Sequence, residues 1–310
     1  MKSVFFLLTI IGIAPLVSCQ HAEVQRPPII DVHLHSYRAE SFPELLSPNS
    51  VSGEMPTATT SKENMQATLT QLEKFNIVLG IVSGPLESVG AWREAAPDRI
   101  IAGAYEGPRG VLPDIAVLRE SFESGRLQVM GELGLQYRGL RPNALRLEPY
   151  FRLAEELDIP VAIHTGLAAP NTPYKSCCPD FRVTLGNPEH LEEVLVQYPK
   201  LRVYLMHAGY PYLQETKAIM RMYPRVYADL AVINWVLPRK EFHNHLRALL
   251  DGGLGKRLMF GSDSQLWPDA VEMAIEGIES AEFLTEEQKR NIFYNNAVRF
   301  FRLDGKLPKH

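Results

Sequence analysis

The chain has 310 residues, 45% of them hydrophobic and 22% charged, with 23 prolines and 21 glycines. That composition excludes collagen-like, low-complexity and wholly disordered chains, and the length allows a core that needs no disulfide framework. With 32 Lys+Arg against 36 Asp+Glu the net charge is -4, which leaves no electrostatic footprint for nucleic-acid binding.

Met1-Lys2 is a positively charged start, and Val4–Val17 is a nearly continuous apolar run. The run falls short of the roughly 20 residues of a comfortable membrane span but suits the apolar centre of a secretion signal. It closes in Leu16-Val17-Ser18-Cys19, which resembles the bacterial lipobox. That resemblance implies a signal peptide over residues 1–18, cleavage before Cys19 and a lipid anchor on its thiol. Gln20 in place of Asp then implies the outer membrane if the host is Gram-negative, so the protein is expected at the cell envelope. Plain secretion, with an unmodified Cys19, is the alternative. Residues 19–28 read as a tether and 29–310 as one domain.

Beyond Pro28, short Val- and Ile-rich runs alternate with amphipathic stretches. Ile29–His35, Ile77–Ser83, Arg99–Tyr105 and Leu127–Leu133 read as four strands. Pro160–His164, Arg202–His207, Val226–Val232 and Leu258–Asp263 read as four more. Helices are predicted over Ser61–Phe75, with a Ser cap and Met65, Leu69, Leu72 and Phe75 at helical spacing, and over Pro113–Gly125. Arg146–Leu157, Asn187–Tyr198, Tyr212–Met222, Lys240–Leu250, Asp269–Ala281 and Thr285–Arg302 follow. About eight such units predict an α/β protein with a parallel sheet, a single (β/α)8 TIM barrel whose site lies at the C-terminal face of the strands. A doubly wound sheet is the rival, but no strand leads into Gly-x-Gly-x-x-Gly. The long loops Ser36–Thr60 and Thr165–Gly186 follow strands, where barrel lids belong. In the second, adjacent Cys177 and Cys178 either pair or stay as loop thiols, the unlinked state being the one expected.

In Ile29-Ile30-Asp31-Val32-His33-Leu34-His35, alternation puts Asp31, His33 and His35 on one face, and two neutral imidazoles at i and i+2 suit a divalent metal. Glu132, His164, His207 and Asp263 end other predicted strands. Each alone has a plain structural reading: a satisfied strand-end histidine, a helix cap for Asp263, an ion pair with Arg138 for Glu132. Together they sit where a barrel brings strand ends to one mouth. His243 and His245 fall in a predicted helix, where i and i+2 diverge, and are expected at the surface. His21, His190 and His310 have no claim on the site.

The strand-one motif Asp31-Val32-His33-Leu34-His35, with His164, His207 and Gly261-Ser262-Asp263, closely resembles the amidohydrolase superfamily. The layout, including Asn295-Asn296-Ala297-Val298-Arg299-Phe300-Phe301, is most similar to its amidohydrolase-related (type 2) family, over roughly residues 28–303. The resemblance implies that His33, His35, His164 and Asp263 bind one divalent cation, Zn foremost. It also implies that His207 contacts the substrate carbonyl or the water, and that Asp263 passes a proton from water to leaving group. Gly131-Glu132-Leu133-Gly134 is also similar to the strand-four segment of TatD-like hydrolases, where that Glu helps bridge two metals. With Glu132 and His207 available as ligands, one ion and two ions both stay open.

The implied reaction is hydrolysis of an ester, lactone or amide bond of a small molecule. Non-oxidative decarboxylation of an unsaturated or aromatic acid is the alternative, and a metal-binding lipoprotein without catalysis is a third class. Glu132 and an envelope location favour hydrolysis. Arg38, Tyr137, Arg138, Lys175, Asn234 and Trp267 stand just beyond predicted strand ends, either facing an anionic substrate or solvated as ordinary loop residues.

Overall fold

The computed structural model describes Met1 and residues 26–107 and 111–305. Residues 2–25, on which the expected signal peptide beyond Met1, the lipobox-like Leu16-Val17-Ser18-Cys19 and most of the expected tether fall, lie outside those residues. Arg26 is ion-paired to Glu279, its carbonyl accepts from Asn76 (2.6 Å), and Arg290 donates to the Pro28 carbonyl, so the chain enters the fold against the barrel wall.

Eight strands follow in chain order: β1 (Ile29–His35), β2 (Ile77–Ser83), β3 (Ile100–Glu106), β4 (Val129–Leu133), β5 (Val161–His164), β6 (Val203–Met206), β7 (Val226–Asp229) and β8 (Leu258–Met259). Each pairs in parallel with the next. The Val32 N–H donates to the Phe260 carbonyl (3.0 Å) and the Asp263 N–H to the His33 carbonyl (2.9 Å), which brings the chain after β8 back onto β1. The fold is a single (β/α)8 barrel. Its strands are buried on both faces, which is why they read as continuous apolar runs rather than as alternating ones.

Inside the barrel, Ile30, Val32, Ile81, Val129, Tyr204 and Met206 form one apolar layer, against which Ala297 and Phe300 of the last helix pack. A second layer, including Leu72, Trp92, Leu118, Phe151 and Phe242, fills the space between strands and helices. The helix Ser61–Lys74 is capped by Thr60 rather than by the expected Ser61, in a capping box: Glu63 N–H donates to Thr60 Oγ1 and Thr60 N–H to the Glu63 carboxylate, both at 3.2 Å.

Several elements depart from the sequence reading. Helix Leu86–Ala95 was not foreseen; it buries only Val89 and Trp92 and carries Gly90 at its centre, so its periodic signal is weak. Strands β7 and β8 stop three and four residues early. After β8 the Phe260 N–H turns to the Ile292 carbonyl (2.8 Å), leaving the ladder. Cys177 and Cys178 are joined as a vicinal disulfide, not left as thiols. His245 is buried rather than superficial: its Nε2 donates to the Ala208 carbonyl (3.1 Å), bracing the turn after β6. His243 is half-buried against the Gly277 carbonyl (3.0 Å).

Candidate metal centre

The barrel mouth gathers six side chains from five places in the sequence. β1 brings His33 and His35, β4 Glu132 and β5 His164. His207 and Asp263 stand just past β6 and β8. Both of these last residues adopt left-handed backbone, φ 61° at His207 and 46° at Asp263, a conformation costing about 1–2 kcal/mol for a non-glycine residue. Hydrogen bonds hold it: His207 N–H to Asp229 Oδ1 (2.8 Å) and Asp263 N–H to the β1 carbonyl already described. Ahead of Glu132, Gly131 has φ 137°, and a Cβ there would lie 2.4 Å from the Ala162 carbonyl oxygen. Only glycine lets β4 lie this close to β5 and carry Glu132 into the mouth.

The ring atoms converge. His33 Nε2 lies 3.2 Å from His35 Nε2. His35 Nε2 is 3.2 Å from both Glu132 Oε2 and Asp263 Oδ1, and His33 Nε2 is 3.9 and 3.8 Å from the same two oxygens. Asp263 Oδ1 is buried and makes no hydrogen bond of good geometry. Nitrogen and carboxylate lone pairs packed this tightly, out of water, repel unless a proton or cation lies among them. His33, His35 and Asp263 form one group whose ligand atoms all lie within 4.8 Å of one another; His33, Glu132 and His207 form a second. The donor set, imidazole nitrogen with carboxylate oxygen, fits a divalent transition metal. His164 is in neither group.

The electrostatics agree. Burial resists a charge on His33, but Asp263, Asp229 and Glu132 outweigh it and push its imidazole up to about 10. Burial works to raise the Asp263 carboxyl, yet the charges of His33, His35 and His207 hold it well below the usual carboxylate range. A cluster that draws a proton this strongly is negative enough to hold a metal ion. Burial, reinforced by His207, keeps His164 well below its ordinary value, so that ring is neutral.

Two acidic residues behind the cage were unequally visible in the sequence. Asp31 does not join the ligands. Its Oδ1 accepts from the His33 and Ser262 N–H groups (both 3.0 Å), tying β1 to the chain after β8, and burial pushes its carboxyl up to about 6. Asp229, which sequence reasoning missed, is fully buried and accepts from His33 Nδ1 (3.0 Å), the His207 N–H and the Ala231 N–H. It ends β7 as His164 ends β5, but reading that strand through Val232 placed it mid-strand and hid the signal. Asp229→Asn removes the acceptor that orients His33, and is expected to weaken divalent-cation binding by about 10–100-fold. Competition with a chelating dye measures this; unchanged affinity would mean that packing alone sets the ring.

Above the cage is a cavity of about 170 Å³, walled by Tyr37, Tyr105, Tyr137 and Gln265 together with His35, Glu132, His164, His207 and Asp263. Burial pushes the phenols of Tyr37 and Tyr137 well above their ordinary range, so both stay protonated as donors. No lysine or arginine lines this cavity among the described residues. Arg38, Arg138 and Lys175 are exposed elsewhere; Asn234 donates to the Gly261 carbonyl (3.0 Å) and Trp267 to the Ser47 carbonyl (3.2 Å). Of these six residues beyond predicted strand ends, Tyr137 alone lines it.

Known proteins place this arrangement. Protein fluG of Emericella nidulans is 26% identical over 164 residues, which is 48% of this chain and only 18% of that protein. Among solved structures, an uncharacterized TIM-barrel protein of Bordetella bronchiseptica superposes with a TM-score of 0.67 at 19% identity, over 90% of this chain and 100% of that one. A probable 2-pyrone-4,6-dicarboxylic acid hydrolase from Acinetobacter baumannii gives 0.60 at 15% identity, over 88% and 99%. A 2,6-dihydroxybenzoate decarboxylase from Rhizobium gives 0.59 at 14%, over 91% and 100%. At these identities the structures speak for the fold alone. The amidohydrolase family model, however, matches residues 30–303, a span that contains the whole barrel and all six converging side chains, and the chain therefore belongs to the amidohydrolase family.

Proposed function

We propose that the protein is a metal-dependent hydrolase that cleaves an ester, lactone or amide bond of a small molecule uncharged at its reacting group. The observation that carries this reading is the cavity wall: a histidine–carboxylate cage beneath three tyrosines and a glutamine, with no cationic side chain among the described residues. Decarboxylation needs a carboxylate seated over the cage. Glu132 and Asp263 already make that position negative, and among the described residues no guanidinium or ammonium offsets them there. Neighbours of both reaction types share the fold, so the choice rests on side chains.

His33, His35 and Asp263 would hold a divalent cation, zinc foremost, with Glu132 and His207 beside it. His33 belongs to both groups of candidate ligands, and one imidazole lone pair serves one ion, which favours a single cation. When bound, the cation supplies Lewis acidity, polarising a carbonyl and acidifying water. Asp263, steadied by Gln265 Nε2 on its Oδ2 (3.1 Å), accepts the proton of the attacking water and returns it to the leaving heteroatom. His207 donates Nδ1–H to the Ala231 carbonyl (3.0 Å), leaving Nε2 for the cage. The Tyr37 and Tyr137 hydroxyls donate to the substrate. The apolar run ending in Leu16-Val17-Ser18-Cys19 supports placing this chemistry at the cell envelope, on a lipid at Cys19.

The test is a panel of lactones, aryl esters, amides and hydroxybenzoic acids given to zinc- or manganese-loaded protein. Turnover confined to the neutral carbonyl compounds is expected. Carbon dioxide release from an acid, with no ester or lactone turned over, would replace this reading by the decarboxylase one.

A further inference from the structure

We propose that the Cys177–Cys178 disulfide is a redox latch on the substrate cavity: it holds the turn that plants Phe181 against Tyr137, and its reduction slackens that wall. The proposal rests on the hydrolase reading only in taking the cavity beside Tyr137 as the substrate's seat.

The latch is built into the loop after β5. A bond between neighbouring cysteines closes a small ring through the peptide that joins them, so neither residue rotates freely about its backbone. Cys178 is also shared by two linked turns. Its N–H donates to the Lys175 carbonyl (3.0 Å), and its carbonyl accepts from the Phe181 N–H (3.1 Å). Cys178 and Phe181 are both buried. The turns thus carry a fixed backbone at Cys177 and Cys178 into a fixed place for the Phe181 ring.

That ring reaches the site. Phe181 packs on Tyr137 with centroids 5.2 Å apart, and Tyr137 lines the cavity. Tyr137 belongs to the turn Leu135–Arg138 after β4, on which the same loop docks twice more. A Cβ on Gly139, which ends that turn at φ 66°, would lie 3.1 Å from Asp180 Cβ. One on Gly186 would lie 2.1 Å from Gln136 Oε1. The turn therefore takes its place from the loop packed on it. Burial keeps the Tyr137 phenol protonated, so the latch sets where a hydrogen-bond donor stands. Phe181 is the positioning residue.

Opening the latch is a two-electron exchange. A thiolate of a dithiol attacks Sγ of Cys177, the half-buried member, and the Cys178 thiolate leaves. The second thiolate of the dithiol then displaces Cys177, both cysteines take up protons, and the dithiol becomes a disulfide. A disulfide donor reverses the exchange, as in oxidising compartments outside the cytoplasm. The cavity wall is complete only in the oxidised protein.

Hydrogen exchange and thiol counting on the full-length protein test this, before and after dithiothreitol that is removed before zinc is restored. Reduction is expected to free both thiols and to speed exchange in 134–139 as well as in 175–182. Faster exchange confined to 175–182 overturns the link to the wall, and two thiols already free before reduction overturn the latch. Cys177→Ser with Cys178→Ser is expected to match the reduced protein, and Phe181→Ala to loosen 134–139 with the disulfide intact. A double variant that exchanges like oxidised protein overturns the proposal. Turnover supplies a second arm. On reduction KM for a neutral carbonyl substrate should rise about tenfold, the worth of one hydrogen bond, with kcat nearly unchanged; an unmoved KM overturns the positioning role. If no such compound is turned over at all, the hydrolase reading fails, while exchange in 134–139 still decides the latch.

Discussion

Protein carrying His33→Ala and His35→Ala together will retain no tightly bound divalent cation and will hydrolyse nothing above background. His33 Nε2 and His35 Nε2 are two of the three atoms of the tighter group, and His33 is shared with the other. A structural zinc ion is worth about 10–16 kcal/mol, so losing two of three ligand atoms costs at least about a thousandfold in affinity. The barrel should survive. Truncating His33 takes one partner from Asp229, but that carboxylate keeps the His207 and Ala231 N–H groups at 2.8 and 3.0 Å. Elemental analysis of protein purified without chelators, beside a thermal melt, separates metal loss from unfolding. A folded double variant with the wild-type metal content would remove the cage from the account, and with it the proposed hydrolysis.

At saturating metal, Asp263→Asn should lower kcat by about 10²–10⁴-fold, the range for losing a positioned proton acceptor. Asparagine keeps the size of the side chain and one oxygen but cannot take a proton from water. The loss should depend on the leaving group. A nitrophenolate departs without a proton, so an aryl ester should lose less than an alkyl ester of the same acid. Equal losses on both would reduce Asp263 to a ligand. Undiminished turnover with metal still bound would end its proton-transfer role altogether.

Much of this arrangement is written in local pattern. Apolar runs bounded by Gly, Pro and amphipathic stretches specify eight buried strands, and a polar residue closing such a run marks a strand end at the mouth. His35, Glu132, His164, His207 and Asp263 all line one cavity, with His33 beneath them at 1% exposure. Periodicity failed where the hydrogen bonds leave the ladder. β7 ends where the Ala231 N–H turns to Asp229 Oδ1 and β8 where the Phe260 N–H turns to the Ile292 carbonyl, and that early end of β7 concealed Asp229 as a strand-end carboxylate. His245, four residues beyond Glu241 in its helix, looked solvated because i, i+2 spacing on a helix argues against a shared site; it says nothing about which face is buried.

The sequence by itself determined the barrel, the set of imidazoles and carboxylates at its mouth and the family, since strand length, burial and strand-end polarity are properties of short segments. Only the tertiary structure decided what each imidazole presents. His33 takes its orientation from Asp229, 196 residues away, and the His164 ring lies against Gln136, 28 residues away. The closure of the barrel likewise sent Asp31 to the seam and Asp263 to the cage, though both are buried carboxylates. The atom behind each ring is chosen by packing across the barrel, not by neighbours along the chain.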